Sequence, residues 1–376
     1  MILFSWSIRS SGCAAAIPSR ASETTSAGSL ISFFTAVPLR QIISESRTTC
    51  GVSYAAVGAG TTAPIGVGIG LAAVARPAYI TSGRALDLGG HRSIEELRAR
   101  TTAVLDTAYA AGVRYLDAAR SYGRAEEFLA GWLAAHPEID DVVIGSKWGY
   151  RYVGGWQLDV PVHEVKDHSL AAFTEQLAET AALLGPRLAI YHVHSATLDT
   201  GVLDDTALHR ALAALRDRGV RVGVSTSGPG QPEAVLKALD VEVDGAPLFT
   251  SIQATWNLLE QSVGPALAEA AARGALVIVK EGVANGRLTP GASDTPPRVV
   301  EIAERLGVPL DQLALGAALA QPWAWSVLSG GVTPAQVESN AAAAAVQLPE
   351  DVLAELGELA EDPKAYWSAR ASRAWS

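Results

Sequence analysis

The chain has 376 residues, which is too long for one average domain and suits one large domain with an extension. Hydrophobic residues make up 49% and charged residues 18% of the chain, so it can bury a large core. The net charge is −10 with no long basic run, which argues against a nucleic-acid partner, and two cysteines are too few for a disulfide scaffold or a four-cysteine zinc site.

The first 60 residues differ in composition from the rest. They hold 17 Ser or Thr and four Arg, but no Lys and only two acids, Glu23 and Glu45. Ser- and Arg-rich, acid-poor leaders are typical of organelle transit peptides. A disordered tail, or translation from a misassigned start codon, explains the same composition and is the favoured interpretation. We therefore predict a disordered N-terminal extension over residues 1–60, with organelle import as the alternative.

One uncharged stretch is long enough to cross a membrane. The 28 residues between Arg47 and Arg76 carry no charge, and about 20 apolar residues span a bilayer. The stretch contains several glycines and Pro64, however, and its second half is better suited to a strand. We expect no membrane association and predict a cytoplasmic protein.

From Gly66 onward, short β-branched runs alternate with Ala- and Leu-rich amphipathic stretches, the pattern of a parallel α/β fold. Ser93, in Ser-Ile-Glu-Glu, has the composition of a helix cap. Strands are predicted over residues 66–74, 112–117, 141–147, 188–194, 220–225, 249–253, 275–280 and 325–328, and the helices that follow them over 94–111, 125–135, 169–184, 205–218, 231–239, 263–273, 297–320 and 334–345.

Eight β-α units in about 280 residues predict a closed (β/α)8 TIM barrel within residues 61–376 rather than an open doubly wound sheet. The glycine-rich run Gly66-Val-Gly-Ile-Gly70 lacks the continuation that opens a helix in dinucleotide-binding folds. We therefore interpret it as a tight strand.

Polar residues follow three successive predicted strands, where the chemistry of such barrels is found. Asp117 ends the second strand and Tyr122 follows it, Lys147 ends the third, and His194 ends the fourth. Each type is commonplace alone as a cap, a rim residue or a core residue, but four at adjacent strand ends are hard to attribute to chance. We call Asp117, Tyr122, Lys147 and His194 the tetrad.

Together these side chains can donate a proton. A free tyrosine titrates near pH 10, and an ammonium beside it favours the phenolate and lowers its pKa. A buried carboxylate keeps the lysine charged and in place, and an imidazole can orient a carbonyl oxygen toward the phenol. The set would protonate an alkoxide as hydride reaches the carbonyl carbon, which is general acid catalysis.

The sequence around these residues resembles the aldo-keto reductase family. The resemblance rests on Gly-Val-Arg-Tyr-Leu-Asp-Ala-Ala-Arg-Ser-Tyr-Gly, on Gly-Ser-Lys and on Tyr-His-Val-His, and extends over about residues 66–345. It implies a nicotinamide-dependent oxidoreductase that interconverts a carbonyl (aldehyde, ketone or sugar) and an alcohol. It assigns Tyr122 as the general acid, Lys147 as the neighbour that lowers its pKa, Asp117 as the partner of the lysine, and His194 as the residue that orients the substrate.

The same resemblance implies residues that bind the nicotinamide. Ser225 and Gln253 match residues that hold the carboxamide, and Thr226 stands where the family usually has Asn. Lys280 falls where many members stack an aromatic ring on the nicotinamide, which a lysine cannot do. That contact must therefore differ in this chain.

The adenine end of the cofactor is matched by the last strand and helix. The residues implied there are Gly330, Gly331, Gln336 and Asn340. NADP-preferring members often present cations to the 2′-phosphate in this stretch, whereas Gly330 and Gln336 are uncharged. The backbone amides after Gly330 could serve instead. NADP is the prediction from the resemblance, and NAD is the alternative.

Three other functions are consistent with parts of this sequence. His192 and His194, two apart on a strand, face the same way and could bind a metal in a TIM-barrel hydrolase. Only His209 follows them, in a predicted helix, so no metal site is expected. A nucleotide-sensing regulatory subunit with the same fold, and an aldose 1-dehydrogenase that oxidises sugars with NAD, are the remaining alternatives.

The substrate region is less well defined by the sequence. The loop 148–168 is rich in aromatic residues and histidines and could line a substrate rim, and Trp256 is a second pocket candidate. Tyr366, Trp367 and Trp375 could pack over the barrel mouth. The expected partner is a small-molecule carbonyl or alcohol, and the protein is expected to be a monomer or small homo-oligomer.

Overall fold

The computed structural model describes residues 63–375, apart from Ser82 and His91. The predictions for residues 1–60, including the disordered extension and the transit-peptide alternative, lie outside the described residues. The uncharged stretch before Arg76 is described only from residue 63 onward.

Eight parallel strands close into a barrel, which confirms the predicted fold. The strands are β1 (Gly66–Gly70), β2 (Tyr115–Asp117), β3 (Val143–Trp148), β4 (Leu188–Ala196), β5 (Arg221–Thr226), β6 (Ser251–Thr255), β7 (Leu276–Lys280) and β8 (Ser326–Ser329). Each strand pairs with its neighbours in the chain, and β1 pairs with β8 to close the ring. All of these pairings are parallel, as right-handed β-α-β units require.

The helices follow the strands in chain order. They are α1 (Arg84–Leu88), α2 (Ile94–Ala110), α3 (Ala125–Ala135), α4 (Leu170–Leu184), α5 (Thr206–Arg216), α6 (Gln231–Leu239), α7 (Gly264–Ala272), α8 (Pro297–Leu306), α9 (Leu310–Leu319), α10 (Pro334–Ala342), α11 (Glu350–Gly357) and α12 (Pro363–Ala371). The predicted cap of α2 forms: the Ser93 hydroxyl accepts a hydrogen bond from the Glu96 amide at 3.2 Å, and the Glu96 carboxylate accepts one from the Ser93 amide at 3.0 Å.

Three predicted elements differ in the structure. The helical residues expected near 297–320 form two helices, because Gly307 takes a left-handed conformation (φ 68°) and Pro309 follows it. β1 ends at Gly70 instead of residue 74. The predicted loop 148–168 contains an antiparallel hairpin in which Tyr150–Tyr152 pairs with Glu164–Lys166.

Large side chains fill the inside of the barrel below the strand ends. Tyr115 and Trp325 pack edge to face with ring centroids 5.3 Å apart, and both are buried. Gly68 leaves the space that they need, because a Cβ there would lie 2.9 Å from the Tyr115 ring. The interior is therefore closed at the N-terminal ends of the strands, which leaves only the C-terminal mouth for a site.

Candidate active site

The ends of β2, β3 and β4 bring the whole tetrad to one mouth of the barrel. Asp117 is the last residue of β2, and Lys147 lies in β3 beside His192 of β4. His194 lies two residues further along β4, and Tyr122 stands in the loop after β2. The parallel register therefore places side chains distant in sequence around a common point.

Asp117 and Lys147 form a buried ion pair at the base of this site. The ammonium donates hydrogen bonds to the Asp117 carboxylate and, at 3.1 Å, to the Ala118 carbonyl. The other carboxylate oxygen accepts hydrogen bonds from Gln253 at 2.9 Å and from the Tyr115 hydroxyl at 3.2 Å. The pair is thus held by groups from three strands, as a buried ion pair requires for stability.

Tyr122 and His194 meet above this pair. The phenol oxygen lies 3.4 Å from Nε2 of the imidazole, and the two rings are nearly perpendicular, with centroids 5.4 Å apart. The Lys147 ammonium lies 4.8 Å from the centre of the phenol ring. A substrate oxygen placed between Tyr122 and His194 would therefore contact two proton donors, with the Lys147 ammonium beside the phenol ring.

The electrostatics of the site keep both rings neutral at neutral pH. Burial, followed by the Asp117 carboxylate, holds the pKa of the Tyr122 phenol well above its usual value. Burial, followed by the Lys147 ammonium, holds the pKa of His194 well below its usual value. Burial and Asp117 therefore outweigh the lowering effect of Arg76 on the Tyr122 pKa, and the role of Lys147 as the neighbour that lowers this pKa stays a prediction.

Sequence reasoning missed two side chains that hold the His194 ring. The Ser121 hydroxyl lies 3.5 Å from its Nδ1 atom, and the Tyr150 ring packs against it with centroids 5.0 Å apart. When Ser121 donates to Nδ1, the neutral imidazole carries its proton on Nε2, the atom that faces Tyr122. The adjacency of Ser121 to Tyr122 in the sequence was the only signal that pointed to this contact.

The backbone of the Tyr122 loop depends on Gly123. This residue has φ 61°, and a Cβ on it would lie 2.6 Å from the Ala75 carbonyl oxygen and 2.8 Å from the Arg76 Cβ. We expect Gly123→Ala to lower the free energy of unfolding by about 1–3 kcal/mol and to displace Tyr122. Thermal denaturation measures the first effect. The matched control is Gly131→Ala in α3, where a Cβ meets nothing within 4 Å, and equal effects of the two changes would contradict the expectation.

A cleft of about 550 Å³ opens beside the tetrad. It lies between the hairpin loop, residues 158–164, and the end of the chain, and Tyr150, His163 and Trp375 contribute its aromatic walls. Tyr150 also contacts His194 of the tetrad, although none of the tetrad side chains lines the cleft itself. The predicted rim, loop 148–168, and Trp375 of the predicted cover thus line it.

Other aromatic candidates lie elsewhere. Trp256, the second pocket candidate, is buried in the core with its ring 5.9 Å from that of Trp323. Tyr366 and Trp367 belong to a hydrophobic cluster formed with α8, α9 and α11. These three side chains therefore stabilise the barrel instead of lining the cleft.

Comparisons with known proteins agree with this geometry. The model of the Aldo/keto reductase family matches residues 86–361. The chain belongs to the aldo-keto reductase family. A D-threo-aldose 1-dehydrogenase from a Pseudomonas species is 30% identical over 290 residues, which cover 68% of this chain and 86% of that protein. Among solved structures, the holo form of an aldo-keto reductase from Bacillus halodurans matches 78% of this chain and 92% of its own, with a TM-score of 0.56 and 21% identity.

Aldo-keto reductases use nicotinamide cofactors, and the ends of β5 and β6 offer polar groups for one. Thr226 is fully buried, and its Oγ1 atom has no hydrogen-bond partner in the described part of the protein. A buried hydroxyl without a partner is costly, so this atom fits a polar ligand group such as a carboxamide. Ser225 accepts a hydrogen bond from the Ser195 amide at 2.8 Å, and Gln253 donates to Asp117. Their roles in cofactor binding stay predictions.

Lys280 ends β7 close to the tetrad. Its ammonium donates to the Thr255 hydroxyl at 2.6 Å and lies 3.8 Å from Glu281. Burial lowers its pKa to about 8. Glu281 in turn forms an ion pair with Arg370 of α12. Lys280, which stands where many family members have an aromatic ring, is therefore held by β6 and, through Glu281, by the C-terminal helix.

The loop after β8 is ordered by side chains that the resemblance assigns to the adenine end. The Ser329 hydroxyl accepts hydrogen bonds from the Asn340 amide at 2.7 Å and the Gly331 backbone at 3.2 Å. Gln336 accepts one from the Val332 backbone at 2.9 Å and donates one to the Asp87 carboxylate of α1 at 2.8 Å. A Cβ on Gly330 would meet nothing within 4 Å, so this part of the loop is open to a ligand.

The structure gives no support to a metal site. The His192 imidazole lies below the mouth, where its Nε2 atom is 2.9 Å from the Ser251 hydroxyl. Among residues 63–375 without Ser82 and His91, no three His, Cys, Asp or Glu side chains are grouped closely enough to hold a metal ion. In the same part of the chain, every helix is too short or too polar to cross a membrane.

Proposed function

We propose that this protein is an oxidoreductase in which Tyr122 is the general acid and base for interconversion of an alcohol and a carbonyl. The observation that supports it most is the 3.4 Å approach of the phenol oxygen to His194, above the buried pair of Lys147 and Asp117. A bound nicotinamide supplies or accepts the hydride. The protein's own groups move the proton and hold the substrate oxygen.

In the reducing direction the site needs a proton donor. The high pKa of Tyr122 keeps the phenol protonated at neutral pH, so it is ready to donate to a developing alkoxide. The Nε2–H group of neutral His194 donates a hydrogen bond to the same oxygen. In the oxidising direction the phenol must first lose its proton, so the rate of oxidation is expected to rise with pH.

The cleft supports a polyhydroxylated substrate. Aromatic faces of Tyr150 and Trp375 suit the C–H faces of a sugar, and Asp159 on the same wall can accept hydrogen bonds from hydroxyl groups. The D-threo-aldose 1-dehydrogenase relative has a name that agrees with this chemistry. We therefore favour an aldose whose anomeric hydroxyl is oxidised to a lactone.

Asp87 supports NAD rather than NADP. The resemblance places cations of NADP-preferring members near Gln336, whereas here a carboxylate lies 2.8 Å from the Gln336 amide. An acid at this point would repel a 2′-phosphate and can accept a hydrogen bond from a ribose 2′-hydroxyl. The exposed position of Asp87 makes the expected discrimination modest.

Cofactor titration tests this preference. We expect the full chain to bind NADH more tightly than NADPH, measured by quenching of tryptophan fluorescence, and Asp87→Asn to reduce the ratio of the two Kd values roughly fivefold. The matched control is Asp141→Asn, an exposed acid at the opposite end of the barrel, paired with Arg114. A tighter affinity for NADPH in the unchanged protein would overturn the NAD assignment.

Turnover on a panel of aldoses and simple aldehydes tests the reaction itself, followed by the absorbance of the reduced nicotinamide. We expect oxidation of an aldose with NAD to be the fastest reaction. Tight cofactor binding without turnover across the panel would favour the regulatory subunit. Stoichiometric zinc in the purified protein would favour the hydrolase. The cytoplasmic location and the monomeric or small homo-oligomeric state stay predictions.

A further inference from the structure

Arg76 lies buried beside Tyr122, although the tetrad does not include it. It follows β1 in the chain, and its exposed fraction is 1%. Its guanidinium donates to the Ala72 carbonyl at 2.9 Å, to the Ser121 carbonyl at 3.3 Å and to the Glu164 carboxylate at 2.5 Å. These contacts tie together the loops after β1, β2 and β3, so the position of the guanidinium is fixed from three sides.

Aromatic rings enclose the same guanidinium. Its central carbon lies 4.9 Å from the centre of the Tyr122 ring, 4.5 Å from that of Tyr79 and 5.0 Å from that of Trp375. Trp375 in turn stacks on His163 with centroids 4.5 Å apart and planes 7° from parallel. A planar cation on a ring face is a stabilising contact that a compact ammonium makes less well.

The phenol of Tyr122 is surrounded by charges of both signs. Lys147 is nearby, but its hydrogen bonds go to Asp117 and the Ala118 carbonyl, so Asp117 neutralises much of its charge. Arg76 lowers the pKa of Tyr122 against the upward effects of burial and Asp117, and Glu164 raises it. The titratable and charged groups that face the phenol from the packed elements are Arg76, Tyr79, Tyr115, Asp117, Lys147, Glu164, His194 and Glu281.

We propose that Arg76 is a positioning residue for Tyr122: its buried guanidinium holds the phenol ring by stacking and favours the phenolate that oxidation requires. Glu164 fixes the guanidinium and at the same time offsets part of its charge. This inference rests on the proposed function, since it concerns the residue that moves the proton. Arg76 would be a second cation, besides Lys147, that acts on the proton-transferring phenol. Through Glu164, the hairpin after β3 would also contribute to proton transfer.

Three substitutions separate charge from packing. Arg76→Gln removes the cation and is expected to lower kcat/KM for oxidation about tenfold at neutral pH, the equivalent of one pKa unit. Arg76→Lys keeps the charge but loses the planar contact with the phenol ring, so it should recover only part of that loss. Glu164→Gln keeps an acceptor for Arg76 but removes the opposing charge, so kcat/KM should rise, by roughly threefold for half a pKa unit. The control is Arg151→Gln on the same hairpin, where the arginine pairs with Glu175 and no change is expected.

Opposite signs for Arg76→Gln and Glu164→Gln are the decisive result, because a loss of packing would slow both variants. A Glu164→Gln enzyme slower than the unchanged protein, or an Arg76→Lys enzyme as slow as Arg76→Gln, would overturn the proposal. If Arg76→Gln does not fold, the other two variants still decide. Tyr122→Phe is measured in parallel: full activity of that variant would overturn the proposed function, whereas its inactivity with no effect at Arg76 and Glu164 would overturn this inference alone.

Discussion

Tyr122→Phe is expected to lower kcat by about 10²- to 10⁴-fold, the contribution of a positioned proton donor. The substitution removes only the hydroxyl and keeps the ring that packs against His194 and Arg76. Cofactor affinity should therefore stay within about twofold of the unchanged protein. Steady-state kinetics on a verified substrate, together with fluorescence titration of the cofactor, measure the two effects separately.

A second tyrosine provides the control for this experiment. Tyr152 lies in the hairpin after β3, and its buried hydroxyl faces the Trp156 backbone. Tyr152→Phe removes the same atom without touching the tetrad and should leave kcat unchanged. Wild-type turnover by Tyr122→Phe would show that another group donates the proton.

Lys147→Met is expected to abolish measurable turnover and to lower the free energy of unfolding by about 3–5 kcal/mol. The change leaves the Asp117 carboxylate buried without the ammonium that now neutralises it. Denaturant unfolding measures the stability and steady-state kinetics the activity. The control is Lys237→Met, which breaks a pair with Asp204 where the lysine is 37% exposed, and should cost about 1 kcal/mol or less.

The double variant Lys147→Met/Asp117→Leu distinguishes stability from function. Removal of both charges leaves no unpaired ion, so much of the lost stability should return. Turnover should not return, because the cation beside the phenol is still missing. Recovery of activity together with stability would show that the buried pair has only a structural role.

The barrel and the tetrad could be predicted because their signals are local in the sequence. Asp117, Lys147 and His194 each stand at the end of a short β-branched run, and parallel strands bring their ends to the same edge. The break between α8 and α9 had a local signal too, Gly307 followed by Pro309.

The surroundings of Tyr122 could not be predicted in the same way. Arg76 and Glu164 are 88 residues apart and meet only because the loops after β1 and β3 both fold over the mouth. Burial of the phenol also depends on these loops. The raised pKa of Tyr122 therefore could not be predicted from the expectation that Lys147 lies beside it. Side chains of long loops need tertiary contacts to define their positions.

Closure of the barrel has a consequence for how the protein is made. The Ser326 hydroxyl donates to the Gly66 carbonyl at 3.0 Å across 260 residues of sequence, and this seam joins β1 to β8. During synthesis β1 therefore leaves the ribosome with one open edge long before its partner exists, and such edges pair readily with other chains. We therefore expect a fragment that stops before residue 326 to keep two free sheet edges, at β1 and β7, and to aggregate.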